Sequence, residues 1–365
     1  MKKTKRKSVR FALFFLLFTC LVLSACGTDN ASADDEAAGT NQGSNDSEGM
    51  TYNLSVSHHL PSHHPIQVEV LEPFLKDLEE KTNGRITGDI YAANSLGDPS
   101  SHYEMAATGV ADISLTVHGF TPGVFPLVQV VEFPFFAKTA EQGSEIIWRL
   151  YEEFPALQEE HADTTPLWLF TAQPAQLLSA KKPIRTLEDM KGLRVRTPSP
   201  LANKIIEALG ATPVSMPMGE VYEALSRGII DAAMAPIDTV HDYNFHEVVN
   251  YVTMGYFSMT PFFCVMNTNL YESLSEQDRE LINSMTGLNM AKHAGATFDR
   301  AAERGKQTAL DQGVELIELD DQELDRWKKA LEPVVDAWIQ EMEQKGLPGE
   351  AIYQRALEIG QELQK

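Results

Sequence analysis

The chain has 365 residues, a formal net charge of −22 and 43% hydrophobic residues. That length suffices for two lobes of ordinary domain size, and so large an acid excess makes nucleic acid and anionic lipid surfaces poor partners. Three cysteines argue against a disulfide framework.

The first thirty residues address the compartment. Lys2, Lys3, Lys5, Arg6, Lys7 and Arg10 form a basic head, and Phe11 to Leu23 form an apolar run too short to span a membrane comfortably. Leu23-Ser24-Ala25-Cys26 closes it. The segment 1–25 reads as a signal peptide, and its small-residue end before Cys resembles a lipoprotein lipobox. Cys26 is then expected to carry diacyl lipid on its sulfur and to hold the protein on the extracytoplasmic face of the cell membrane. Ordinary secretory cleavage with an incidental Cys26 is the alternative. Without its six basic residues the chain falls to about −28. Residues 26–50, rich in Asp, Glu, Asn, Ser, Ala and Gly, bury too little to offset ordering entropy and read as a flexible tether.

Tyr52 to Val56 reads as a strand, after which Ile66, Val70, Phe74, Leu75 and Leu78 mark one helix face. Asn83-Gly84 turns the chain into a strand over 85–91, a helix over 99–108 and a strand over 113–117. Strand, helix, strand, helix, strand implies a parallel, doubly wound α/β sheet. The plan recurs with a strand over 191–196, a helix over 200–209, a strand over 212–215 and a helix over 219–226, closed by Gly228-Ile229-Ile230-Asp231 as the first is by Gly109-Val110-Ala111-Asp112. In both, Gly suits a helix C-cap. Two similarly built lobes imply a ligand cleft between them.

Cys264, in the apolar run Pro261 to Met266, is expected to be a buried core thiol. Beyond it, Leu281, Met285, Leu288, Ala291 and Phe298 predict one long helix over about 275–308, and further helices are expected near 321–345 and 349–364. Such C-terminal helices can brace two lobes.

Ligands of open α/β sheets sit beyond the carboxyl ends of the strands. Arg196 ends such a strand, and Ser199 and Pro200 after it suit the N-cap and first residue of a helix. A guanidinium fork beside free helix amides suits a carboxylate, through two parallel charge-assisted hydrogen bonds. A solvated strand-end Arg is the bland alternative.

Phe120-Thr121-Pro122-Gly123, the run from Lys182-Pro183-Ile184 to Val195-Arg196, Leu209-Gly210-Ala211-Thr212-Pro213 and Glu220-Val221-Tyr222-Glu223-Ala224-Leu225 resemble the substrate-binding proteins of tripartite ATP-independent periplasmic (TRAP) transporters. The resemblance covers 51–365. It implies a two-lobed periplasmic-binding-protein fold, with lobe I at 51–172 plus 261–300 and lobe II at 173–260 plus 301–365. It also implies a small organic acid as ligand, an integral membrane permease as partner and Arg196 as the residue that pairs with the ligand carboxylate. Sialic-acid-type and dicarboxylate-type relatives carry a second Arg where this chain has Gln173-Pro174-Ala175-Gln176, and Asn where it has Ala235. Met218 stands where relatives often place an aromatic side chain, and Ser199 remains a candidate ligand contact. With apolar residues such as Tyr103, Phe120, Trp168, Met216, Met234, Tyr256 and Phe257 near strand ends, the missing Arg favours a monocarboxylate with an apolar or aromatic body.

His58, His59, His63 and His64 fall within seven residues of a cleft-facing loop. Four imidazoles could capture zinc, an alternative function, or His58 or His59 could donate to a ligand oxygen, as could His118 after the strand ending at Val117. No nucleophile elbow, phosphate loop, metal-type Cys pair or dinucleotide fingerprint occurs, so neither an enzyme nor a cofactor is expected.

Overall fold

The computed structural model describes residues 49–134 and 136–364. The expected signal peptide, Cys26 and nearly all of the tether lie outside the described residues. Among the described residues the eleven strands are β1 (Tyr52–His58), β2 (Ile86–Tyr91), β3 (Ile113–Val117), β4 (Thr164–Thr171), β5 (Gln176–Ser179), β6 (Arg194–Thr197), β7 (Thr212–Ser215), β8 (Ala232–Ala235), β9 (Tyr251–Met254), β10 (Pro261–Asn267) and β11 (Glu315–Glu318). The helices used below are α1 (Glu72–Lys81), α2 (Ala140–Glu153), α3 (Pro200–Ala208), α4 (Leu288–Asp311), α5 (Asp321–Gln344) and α6 (Gly349–Glu362).

The strands form two sheets, ordered β2-β1-β3-β10-β4 and β11-β9-β5-β8-β6-β7. In each, the strands expected from the alternating plan pair in parallel, β1 with β2 and β3, β6 with β7 and β8. The purely parallel expectation is corrected by one strand per sheet. β10 runs antiparallel between β3 and β4, and β5 antiparallel between β8 and β9. Both follow a passage from one sheet to the other, so they enter their new sheet from the opposite end. β10 is buried along its whole length, Cys264 included, and burial pushes that thiol's pKa up.

The expected helix face of Ile66, Val70, Phe74, Leu75 and Leu78 is buried. Its first six residues, Ile66–Leu71, form a π turn that runs into α1. The single helix expected over 275–308 is two, Glu276–Met285 and α4. Gly287 divides them: its φ of +73° reverses the chain at little steric cost, and its N–H donates to the Leu167 carbonyl at 2.8 Å.

α4 passes both sheets on a stripe of Ala and Gly. A Cβ on Gly295 would lie 2.5 Å from the Ala140 carbonyl oxygen of α2, and one on Gly305 2.2 Å from the Ile237 carbonyl oxygen. Backbone meets backbone there, so neither neighbour can rotate away. Gly295→Val is expected to lower unfolding stability by on the order of 1–3 kcal/mol, measured by denaturant titration; an unchanged midpoint would refute this fit. α5 and α6 brace the body as expected. Glu341 of α5 pairs with Lys204 of α3 at 3.0 Å, Trp338 Nε1 donates to the Pro126 carbonyl at 3.1 Å, and Arg149 of α2 pairs with Glu362 of α6 at 2.8 Å.

Candidate ligand cleft

The carboxyl ends of β3, β6 and β8 converge on a narrow chamber. Its cavity volume is about 40 Å³. The first sheet and its loops contribute His59, Leu60, His64, Val117, Phe120 and Phe262; the second contributes Arg196, Pro198, Met218, Pro236, Asp238, Thr239 and Tyr243. Ala172 and Thr260, at the two passages between sheets, and Phe298 of α4 complete the wall.

Arg196 is 2% exposed. Its Nε donates to the Met216 carbonyl at 3.0 Å and Nη1 to the Met234 carbonyl at 3.2 Å, which fixes the plane of the guanidinium. Nη2 and the second N–H of Nη1 make no hydrogen bond to the described residues, and no carboxylate among them pairs with this cation. Burial lowers its pKa to about 10, opposed by the neighbouring Tyr243. Two residues earlier on β6, Arg194 is bound through Nε and Nη2 to both oxygens of Asp231, at 3.1 and 3.0 Å. One arginine of the strand is thus neutralised by the protein, and the other faces the chamber without a counter-ion. A buried charge in that position needs an anion.

Opposite lie aromatic faces. The His59 ring stacks on Phe262 with centroids 5.8 Å apart and meets Phe120 edge-on at 5.3 Å; Phe262 lies 5.6 Å from Phe298. Burial holds His59 well below its ordinary pKa, so that the imidazole is neutral and adds no second cation to the wall.

Residues 56–341 match the family described as bacterial extracellular solute-binding protein, family 7 (DctP). The chain belongs to this family. A solute-binding protein of Chromohalobacter salexigens is 29% identical to it over 276 residues, 75% of this chain and 81% of the relative. A marine-metagenome TRAP solute-binding protein, described as specific for aromatic acid ligands and co-crystallised with 3-hydroxybenzoate, is 30% identical, with a TM-score of 0.83 over 87% of this chain and 100% of that one. A TRAP solute-binding protein from Rhodoferax ferrireducens in complex with copurified benzoate is 28% identical, with a TM-score of 0.82 over 86% and 98% of the two chains. The family-7 receptor described here is therefore a two-lobed, extracytoplasmic TRAP solute-binding protein for small organic acids that works with a TRAP permease, and it is not an enzyme.

Of the residues singled out in the sequence, the receptor brings Arg196, Met218, His59, His64 and Phe120 to the chamber. His58 is turned away: its Nδ1 accepts from the Leu60 N–H, so the proton sits on Nε2, which donates to Gln67 Oε1 at 3.1 Å. His118 packs behind the wall, its Nε2 3.2 Å from that of His161 and its ring edge-on to Phe125 and Phe263. Ala235 is buried opposite Gln176 in the second sheet and does not line the chamber. Ser199 faces an adjoining, more open groove, caps α3 by accepting from the Ala202 N–H at 3.1 Å, and donates to the buried Glu132 carboxyl. Tyr103 and Trp168 belong to the core.

The four clustered imidazoles do not converge. His63 Nε2 lies 3.2 Å from the Asp242 carbonyl oxygen, His64 Nδ1 accepts from the Ile66 N–H at 3.2 Å, and His59 Nδ1 lies 2.9 Å from Thr116 Oγ1. Where relatives carry a second Arg, Gln173 donates to Asp299 and Gln176 accepts from the Gly255 and Tyr256 N–H groups, so the segment is spent on the passage between sheets. Sequence reasoning missed Asp238, Thr239 and Tyr243. The strand-end rule that found Arg196 points to the first two, since they lie three and four residues past the end of β8; for Tyr243, a turn further on, it gives no signal.

Proposed function

We propose that this receptor captures an aromatic monocarboxylate and is tethered to the membrane by lipid on Cys26. The carrying observation is the pairing of one buried guanidinium, without a carboxylate partner among the described residues, with a wall of Phe120, Phe262 and Phe298. A single cation suits one carboxylate, and the rings offer an aromatic body its contact area. Two solved relatives hold benzoate and 3-hydroxybenzoate, which supports the reading. Residues 51–172 with 261–300 form one lobe and 173–260 with 301–365 the other, and the two close over the ligand. The strand order supports that division in its central part, since β4 and β10 lie in one sheet and β5 and β9 in the other.

Thermal-shift screening of the mature protein against aromatic monocarboxylates, aliphatic monocarboxylates, dicarboxylates, sugars and zinc tests the ligand class. A binder present at a hundred times its Kd adds about 2.7 kcal/mol of stability. The aromatic acids are expected to give the largest shift, and a larger one with zinc or a dicarboxylate would overturn the reading. For the anchor, Cys26→Ser should release the protein into the medium or leave its leader uncleaved. A correctly trimmed Cys26→Ser protein that stays on the membrane would refute it.

A further inference from the structure

We infer that the chamber holds a second, hydroxyl-recognising subsite made by Asp238, His64 and Tyr243, so that the ligand is an aromatic acid carrying a hydroxyl group. The inference rests on the aromatic-monocarboxylate reading above and adds the ligand's other end.

Asp238 lies three residues past the end of β8, lines the chamber and is 1% exposed. Its Oδ1 has no hydrogen-bond partner. One turn on, Asp242 Oδ2 is equally buried and equally without a partner. An acceptor buried without a partner is costly to the fold, and a ligand donor relieves that cost. Burial raises both carboxyls above their ordinary pKa, Asp238 to about 8. Tyr243, also on the wall, makes no hydrogen bond through its Oη to the described residues and interacts electrostatically with Asp238, Asp242 and Arg196. Polar groups of the second-sheet wall are therefore joined from the facing side by His64.

His64 settles what these groups can bind. One ligand atom from each of His64, Asp238 and Asp242 comes within 4.8 Å of the others, a grouping that could suggest a cation. The His64 tautomer opposes that. Its Nδ1 lone pair is taken by the Ile66 N–H, so the proton is on Nε2, and neither nitrogen offers a metal a free lone pair. What it does offer is an N–H donor that makes no hydrogen bond to the described residues. A hydroxyl carries one donor and two acceptor sites. It can donate to Asp238 Oδ1 and accept from His64 Nε2–H or the Tyr243 hydroxyl. An unsubstituted aromatic acid would cover these groups and leave them unpaired, and sites built around a substrate hydroxyl discriminate strongly against analogues that lack it.

Calorimetric titration of the mature receptor in the presence of EDTA tests this with two matched pairs, benzoate against 3-hydroxybenzoate and phenylacetate against mandelate. The pairs separate a ring hydroxyl from one beside the carboxylate. The hydroxylated member of at least one pair should bind about tenfold tighter or more. In Asp238→Ala that ratio should fall below about threefold. Equal affinities in both pairs, a ratio unchanged in Asp238→Ala, or a hydroxyl preference that appears only when zinc replaces EDTA would each overturn the inference. If Asp238→Ala fails to fold, the wild-type ratios decide alone. Binding of benzoate and phenylacetate without any hydroxyl gain would sink the subsite and leave the aromatic-monocarboxylate reading standing, whereas failure of all four acids to bind would sink that reading itself.

Discussion

Arg196→Ala is expected to weaken binding of the best acid by roughly thirtyfold to several thousandfold, the equivalent of about 2–5 kcal/mol. The variant removes the one buried cation that faces the chamber among the described residues and leaves the ligand carboxylate without its partner. Arg196→Lys keeps the charge but cannot supply two parallel hydrogen bonds, nor hold the Met216 and Met234 carbonyls together as the planar group does, so it should recover only part of the loss. The ligand-free protein should respond in the opposite sense. An uncompensated buried charge is a liability to the empty fold, so Arg196→Ala without ligand should melt no earlier than wild type. Calorimetric titration and melting of the three proteins read both effects. Equal affinities would show that the carboxylate is held elsewhere; an early-melting ligand-free Arg196→Ala would show that the guanidinium is a structural strut.

Gly119→Val is expected to abolish tight binding by a different route. Gly119 follows β3, and a Cβ there would lie 2.6 Å from Ser199 Cβ and 3.0 Å from the Pro198 carbonyl oxygen, both beyond the end of β6 in the other sheet. The collision exists only while the two sides of the chamber touch. The substitution should therefore spare the fold of each side and penalise closure, and apparent affinity falls in proportion to the population of the binding-competent form. A loss on the order of a hundredfold corresponds to about 2.7 kcal/mol against closure, within reach of an overpacked backbone contact. Small-angle scattering should show ligand-induced compaction in wild type and little in Gly119→Val. A variant that compacts and binds normally would mean the contact is incidental.

The place of Arg196 at the chamber was legible in the sequence because it is set locally: β6 ends one residue after it, a helix cap follows, and the strand-end rule needs nothing else. The two repeated strand–helix units were legible for the same reason, since apolar spacing and turn residues report local structure. What the sequence hid depends on distant partners. Whether His58 or His59 reaches the chamber is decided by Gln67 and Thr116, which claim a ring nitrogen of each. His118 is withdrawn by His161, forty-three residues away. Glu132, which receives the Ser199 hydroxyl and is pushed by burial to about 8, lies in an apolar stretch that carries no motif. The break at Gly287 was hidden because the apolar stripe runs on through it, although the residue at the break is the one that tolerates a positive φ.

The antiparallel insertion of β10 and β5 bears on how the molecule is made. β10 sits between β3 and β4, so the sheet begun by β1 cannot be completed until residues 261–267 have been synthesised, by which time β5 to β9 of the second sheet already exist. β11, at 315–318, then adds the last edge to the second sheet beside β9. Neither sheet is built from one continuous stretch of chain. Contacts of such long sequence separation form slowly, because loop closure must precede them. A chain that emerges end-first thus has no finished half to fold early, and stays open, with unpaired β3 and β4 edges exposed to aggregation, until most of its length is available. For the same reason the receptor cannot be cut at the β4–β5 passage into two separately stable halves.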